Sequence, residues 1–161
     1  MKIYVGIGLA IVAVVLGLTL WSNQGERLIL AGSIQKVRLQ NVDENTTVAV
    51  VEFRLNNPAD LPFRIKNVQL ILETAKGDPI EGTLFHQQDL DRFFEFNKAS
   101  LGPRYNDSVR IGEMLKSHTL VDRTIAGSFP VAADEVARRK RLVIRLEAEG
   151  GVVPTEIGEK R

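Results

Sequence analysis

The long stretch without charge near the start of this chain most constrains its fold. No charged residue occurs between Ile3 and Gly25, and Ile3 to Trp21 is almost entirely apolar. An α-helix needs roughly 20 apolar residues to cross a bilayer core of about 30 Å. The run therefore predicts one N-terminal transmembrane helix, followed by a short polar linker at Ser22–Gly25. The predicted divisions are an anchor and linker at residues 1–25, a folded domain at 26–150 and a polar flexible tail at 151–161.

A permanent anchor, a cleaved signal peptide and a buried helix are the alternatives for this segment. Lys2 supplies the basic start of a signal peptide, but the apolar stretch is longer than such peptides use, and Leu20-Trp21-Ser22 is a poor cleavage site. Trp21 stands where an aromatic residue marks a membrane boundary. We therefore expect an uncleaved single-pass anchor in the cell membrane. Lys2 favours a cytoplasmic N-terminus, with the C-terminal domain periplasmic or extracellular.

Composition narrows the class of the remaining chain. Of 161 residues none is cysteine, and 21 Lys and Arg nearly balance 20 Asp and Glu, for a formal net charge of +1. The absence of cysteine excludes disulfides, thiolate chemistry, sulfur-ligated zinc and the lipid-bearing cysteine of a lipoprotein. The small net charge gives no general attraction to nucleic acid. The part after the linker is long enough for a single domain.

Period-two alternation of apolar and polar residues dominates that domain. It is clearest at Val37–Leu39, Ala49–Leu55 and Leu142–Ala148, which predicts strands with one buried and one wet face. Turn residues separate these segments. Weaker strands are predicted at Thr83–Phe85, Ser108–Ile111 and Leu120–Phe129.

One further strand carries a defect in its alternation. Phe63 and Ile65 share a face by parity, but Val68 and Leu70 join that face only if one residue is added between the two pairs. A β-bulge near Lys66-Asn67 would add it. The alternative is two short strands that meet at a bend.

Two short helical insertions interrupt the strands. In Gln88–Phe96 the side chains of Leu90, Phe93 and Phe94 share one face, and in Ala132–Lys140 Val136 and Ala137 could cover a sheet edge. Short strands at this spacing predict an all-β antiparallel sandwich or barrel.

A compact motif lies where the second strand ends. The chain runs Phe53-Arg54-Leu55-Asn56-Asn57-Pro58, continues through Leu61-Pro62-Phe63-Arg64-Ile65 and returns in a strand at Val68-Gln69-Leu70. This resembles the late-embryogenesis-abundant type 2 family, also called the water stress and hypersensitive response (WHy) domain, over about Ile34 to Gly150. The helix at Leu90–Phe96 is outside the family pattern.

The resemblance implies an immunoglobulin- or fibronectin-III-like β-sandwich without enzymatic activity. It also implies a link to desiccation and stress tolerance, and many members carry an N-terminal membrane segment. Asn57, Pro58, Leu61 and Pro62 are then a structural turn. Pro suits the end of a ladder because it lacks an N–H, and Asn tolerates turn geometry.

Chemistry-bearing side chains are sparse. His86 and His118 are the only histidines, and no residues near them have the spacing of metal ligands or of an acid–base pair. The carboxylates of Asp89, Asp91 and Glu95 fit the solvated face of the first helix. No catalytic residue, metal, cofactor or small-molecule substrate is therefore expected.

Arg138, Arg139, Lys140 and Arg141 form the one basic cluster. The cluster could contact phosphate headgroups or an acidic protein, or it could be a solvated turn before the last strand. Nucleic acid is not an expected partner, because no aromatic stacking platform accompanies the cluster.

The sequence thus predicts a membrane-anchored, non-enzymatic domain that binds or shields membranes or proteins, and the family resemblance implies a role under water stress. The alternative is a scaffold or accessory interaction subunit of a cell-envelope complex. A third interpretation is an enzyme that uses His86 and Asp89.

Overall fold

The computed structural model describes residues 29–151 and 153–159. The apolar run and the linker lie outside these residues, and so does the predicted transmembrane helix. Within the described part of the chain, no helix combines the length and apolarity needed to cross a bilayer.

Nine strands in the described residues form two antiparallel sheets. The first sheet has the order β1-β2-β7-β5 and the second the order β4-β3-β8-β9, with β6 paired to the start of β3. This confirms an all-β sandwich. The strands are β1 (Ala31–Asp43), β2 (Thr46–Asn56), β3 (Phe63–Glu73), β4 (Pro79–Glu81), β5 (Thr83–Leu84), β6 (Met114–Leu115), β7 (Leu120–Phe129), β8 (Arg141–Ala148) and β9 (Thr155–Gly158).

Three helical segments occur in the described residues, where two were predicted. The first predicted helix is α1 (Gln87–Phe96), and a single turn α2 (Lys98–Leu101) follows it directly. The second predicted helix is shorter than expected, as α3 (Ala133–Ala137), and it buries Val136 but not Ala137.

The main core lies between the two sheets and is built from alternate residues of β2, β3 and β8. The predicted bulge in β3 is confirmed, because the register with β8 shifts between Ile65 and Asn67. The added residue keeps both halves of β3 facing inward. The β3 side chains in the core are Phe63, Ile65, Val68, Leu70 and Leu72.

The prediction that β2 has one wet face is wrong. Its outer residues Val48, Val50 and Glu52 are buried as well. The reason is a second, smaller core on the outside of the first sheet, where Leu90 and Phe94 of α1 pack over the two valines. A helix that supplies its own apolar face removes the need for polar residues on the strand beneath it.

The Arg38 side chain, which is mostly buried, connects this helical layer to the first sheet. The Arg38 guanidinium pairs with the Glu52 carboxylate, and their side chains are only 9% and 10% exposed. It also donates to the carbonyl oxygens of Leu101 at 2.5 Å and Pro103 at 3.0 Å. The guanidinium carbon lies 5.0 Å from the centre of the Phe94 ring, within cation–π range. One side chain therefore links β1, β2, α1 and the chain after α2.

The predicted strand at Ser108–Ile111 is not present. Ser108 makes an isolated parallel bridge with Thr124. The segment then leaves the first sheet for the second, where the Gly112 N–H donates to the Ile65 carbonyl at 2.7 Å. A segment divided between two sheets cannot continue a ladder with either.

The predicted flexible tail is also wrong for residues 153–159. Thr155–Gly158 pairs with β8 as the edge strand β9, and Ile157 is 3% exposed. The sandwich therefore extends beyond residue 150, because this last strand completes the second sheet.

Candidate interaction surface at one end of the sandwich

Asn57 organises the loop that carries the sequence motif. Its side chain is buried, and its amide nitrogen donates to the carbonyl oxygens of Leu61 at 2.9 Å, Leu115 at 3.2 Å and Lys116 at 3.1 Å. Its amide oxygen accepts from the Ala59 N–H at 3.2 Å. These bonds join the loop after β2 to the segment between β6 and β7. The amide fits here because it carries both donors and an acceptor.

Several chain segments meet at the same end of the sandwich as Asn57. Asn56 lies opposite both Ala31 and Leu120, so the start of β1, the end of β2 and the start of β7 are neighbours. The Leu30 N–H donates to the Thr155 hydroxyl at 3.0 Å, which adds the start of β9. The chain leading from the apolar run therefore joins the domain at this end.

Exposed apolar side chains collect there. Leu61 in the loop after β2, Met114 at the start of β6 and Leu120 at the start of β7 are 48%, 51% and 58% exposed. Ile29 and Val153 beside them are 42% and 53% exposed. We call these five residues the apolar end. Because several exposed apolar side chains lie at one end of the domain, that end is a candidate contact surface.

Ion pairs, each made of one acidic and one basic side chain, border the apolar end. In one of them the Arg54 guanidinium donates to both carboxylate oxygens of Asp122, at 2.7 and 2.9 Å. These hydrogen bonds hold the pKa of Asp122 below its ordinary value. The bordering pairs are Arg54 with Asp122, Asp60 with His118, and Arg64 with Glu149.

The predicted basic cluster lies at the opposite end. Arg141 begins β8, whereas Ala148 at the end of β8 faces Ile65 near the apolar end. Arg138 pairs with Asp134, and Arg139 is buried and donates to both carboxylate oxygens of Glu159 at 3.0 and 2.8 Å. Local carboxylates therefore compensate these two arginines.

Glu73 compensates the other half of the cluster. Its carboxylate accepts from Arg141 at 2.7 Å and lies 3.7 Å from the Lys140 ammonium. The Arg141 hydrogen bond is the main reason that the pKa of Glu73 is held below its ordinary value of 4.5. The structure thus brings the four basic residues together but places each beside an acid.

The two histidines lie in separate surroundings. His86 precedes α1, and its ring makes no hydrogen bond with a described residue. Nε2 of His118 lies 2.8 Å from Oδ1 of Asp60 in an exposed pair. Asp89 and Glu95 are exposed on α1, and Asp91 pairs with Arg104. Among residues 29–151 and 153–159, no group of acidic, histidine or cysteine side chains is placed to hold a metal ion.

A cavity of about 260 Å³ opens beside His86 and α1. Leu84, Ile125 and Ala126 contribute apolar wall, and Ser108 lies at its other side. The Ser108 hydroxyl is buried and has no partner in the described part of the chain. The gap exists because β5 ends before the Ser108–Thr124 bridge begins.

Sequence reasoning missed most of the apolar end. Leu61 was singled out only as part of a turn, and Leu120 only as part of a strand. A usable indication is present, because Leu61, Met114 and Val153 are each large apolar residues inside turn-rich segments. What could not be predicted was that the loops bearing them would meet.

Comparisons with family models, with curated proteins and with solved structures found no significant match to this chain.

Proposed function

We propose that this chain is a membrane-anchored, non-enzymatic β-sandwich that is displayed outside the cytoplasmic membrane and acts by binding. The observation that carries the proposal is that the apolar run leads directly into the apolar end of the domain. A charge-free run long enough to span a bilayer precedes Ile29 by a few residues, and Ile29 belongs to the apolar end.

The strand order supports an immunoglobulin-like version of this sandwich. We letter the strands along the chain, leaving out β6 and naming β4 as C′, the extra strand next to C. The first sheet, β1-β2-β7-β5, then has the order A-B-E-D, and the second, β4-β3-β8-β9, has the order C′-C-F-G. Immunoglobulin-type domains pair A, B, E and D in one sheet and C, F and G in the other. Topology alone assigns no activity, since sandwiches host many functions.

Asn57 supports the proposed membership of the late-embryogenesis-abundant type 2 or WHy family. The buried amide bonds four backbone groups, which suits an Asn-Pro motif whose role is to shape its loop. The function proposed with this membership is protection of membranes or proteins during water stress.

Drying of vesicles tests the protective function. Full-length protein is reconstituted into dye-loaded phosphatidylcholine vesicles, which are dried and rehydrated. A peptide of residues 1–28 is the control, because it carries the apolar run without the sandwich. Less dye release with the full chain than with the peptide is expected, and equal release would contradict protection.

A scaffold subunit in an envelope complex is the second candidate. The outer face of the second sheet favours it, since Ile71 and Val143 line a groove of about 300 Å³ with Arg145 and Glu156 beside them. This function predicts a stable partner that is captured with the full chain and lost on Arg145→Glu. A capture unaffected by that substitution would argue against this face.

A further inference from the structure

We infer that the apolar end rests on the outer leaflet of the membrane at headgroup level, so that the sandwich stands upright with its basic cluster facing away. The inference rests on the proposed anchor and adds to it a lipid-contacting surface and a fixed orientation. The occupant of the apolar end is thus the lipid surface itself.

The length of the tether supports this orientation. Seven residues, Ser22 to Leu28, separate Trp21 from Ile29. Even fully extended, the eight Cα-to-Cα steps from Trp21 to Ile29 span at most about 29 Å. The opposite end of the sandwich is farther away, since β1 between Ala31 and Val42 is itself about 35 Å long. The apolar end is therefore the part of the domain nearest to the end of the apolar run.

The chemistry of the apolar end fits a lipid surface. Leu61 lies in the loop after β2, whereas Met114 and Leu120 are the first residues of β6 and β7, so all three lie at strand ends or beyond them. Side chains of this kind can enter the boundary between headgroups and acyl chains, where they lose contact with water.

The charges around the apolar end are also suited to this contact. Asp60 lies beside His118, and Arg64 beside Glu149, so each of these carboxylates has a basic group next to it. Such a border has no single sign that would demand an anionic lipid. We therefore expect the same contact on neutral phosphatidylcholine.

The basic cluster is excluded from this contact by its position. It lies at the far end of β8, and Glu73 and Glu159 already accept its hydrogen bonds. Of the two candidate lipid-binding regions, the apolar end is thus the one that the tether brings close.

Site-specific fluorescence tests the inference on the full chain. Because the sequence has no cysteine, Leu61→Cys, Met114→Cys and Leu120→Cys each give one labelling site. Val42→Cys is the matched control, since Val42 is 58% exposed, as Leu120 is, but lies beside the distal turn. Each labelled protein is inserted, one copy per particle, into phosphatidylcholine nanodiscs that contain a headgroup nitroxide quencher.

The expected result is quenching by about two-fold or more at positions 61, 114 and 120, with no change at position 42. Equal quenching at the two ends, or none at either, in protein that stays with the discs would overturn the inference and leave the anchor intact. If quenching at these positions were absent with one copy per disc and occurred only in discs loaded with two copies, the inference would also be overturned, in favour of a contact that needs a second copy of this chain. Protein that fails to remain with the discs would contradict the anchor itself and, with it, the inference.

Discussion

At the scale of single residues, buried polar groups decide how the loops of this sandwich meet. Asn57 is the clearest case, because its amide joins two loops through four backbone groups. The sequence identified this residue as part of a turn, and the turn interpretation accounts for its position after β2. It could not predict the bonds to Leu115 and Lys116, which depend on a segment almost 60 residues later along the chain.

Replacing Asn57 by Ala should destabilise the domain strongly. Several buried backbone groups lose their partner, and each lost hydrogen bond is worth about 1 kcal/mol, so the expected loss is roughly 3 kcal/mol. Urea unfolding of the detergent-solubilised chain measures it. Asn45→Ala, at an exposed position in the β1–β2 turn, should stay within about 0.5 kcal/mol of the original protein. Similar losses in the two variants would contradict the role given to Asn57.

The lowered pKa of Glu73 predicts that this residue contributes to the stability of the domain and that its contribution is lost in acid. Its pKa is lowered in the folded state, chiefly by Arg141, so the contribution is present above its ordinary pKa and disappears as pH falls through the lowered folded value. Thermal unfolding should therefore shift to lower temperature below about pH 4. Glu73→Gln should unfold at lower temperature at pH 7 and show a shallower further decline in acid. An unchanged pH profile in that variant would contradict this assignment.

At the scale of elements, the period-two alternation of the strands did not reveal the helical layer on the outside of the first sheet. Alternation along β2 correctly predicted the inward residues, because period two needs only the strand itself. The outer face could not be assigned from β2 alone, since Val50 and Glu52 are apolar and charged in turn and both are buried. Their burial follows from α1 and Arg38, which come from distant parts of the sequence.

Leu90→Ala should loosen that layer without disrupting the main core. Leu90 is 1% exposed in the small cluster over Val48 and Val50, and truncation of a buried leucine costs about 3 kcal/mol. Hydrogen exchange should rise in residues 87–101 more than in β3 and β8. Phe96→Ala is the control, because Phe96 is 86% exposed and its loss should change little. Uniform acceleration across both sheets would contradict a separate layer.

The single substitution Arg38→Met should destabilise the domain more than the double substitution Arg38→Met with Glu52→Met. Alone it leaves the Glu52 carboxylate buried beside apolar side chains, at a cost of about 3 kcal/mol or more. Adding Glu52→Met removes that buried charge, so the double variant should recover part of the loss. A thermodynamic cycle of unfolding free energies gives the comparison, and additive losses would show that the two residues do not act as a pair.

At the scale of the whole molecule, the end of the sandwich at which Ile29 lies matters more than any one motif. The all-β class and the bulge in β3 could be predicted, since both follow from local alternation. The edge strand β9 could not, because Thr155–Gly158 is short and follows a turn that contains Gly150, Gly151 and Pro154. Nor could the apolar end, which exists only because segments distant in the sequence meet at one end of the sandwich. In the proposed arrangement, the apolar run holds the chain in the membrane, and the apolar end is the part of the domain that lies against the membrane surface.

The most direct test of the proposed function is cell fractionation combined with protease accessibility of a C-terminal epitope tag. A membrane-anchored domain displayed outside predicts full-length protein in the membrane fraction, resistant to alkaline carbonate extraction. In intact spheroplasts, or in whole cells with a single membrane, added protease should remove the tag. Full-length protein found only in the soluble fraction, or a tag protected until the cells are lysed, would contradict the account.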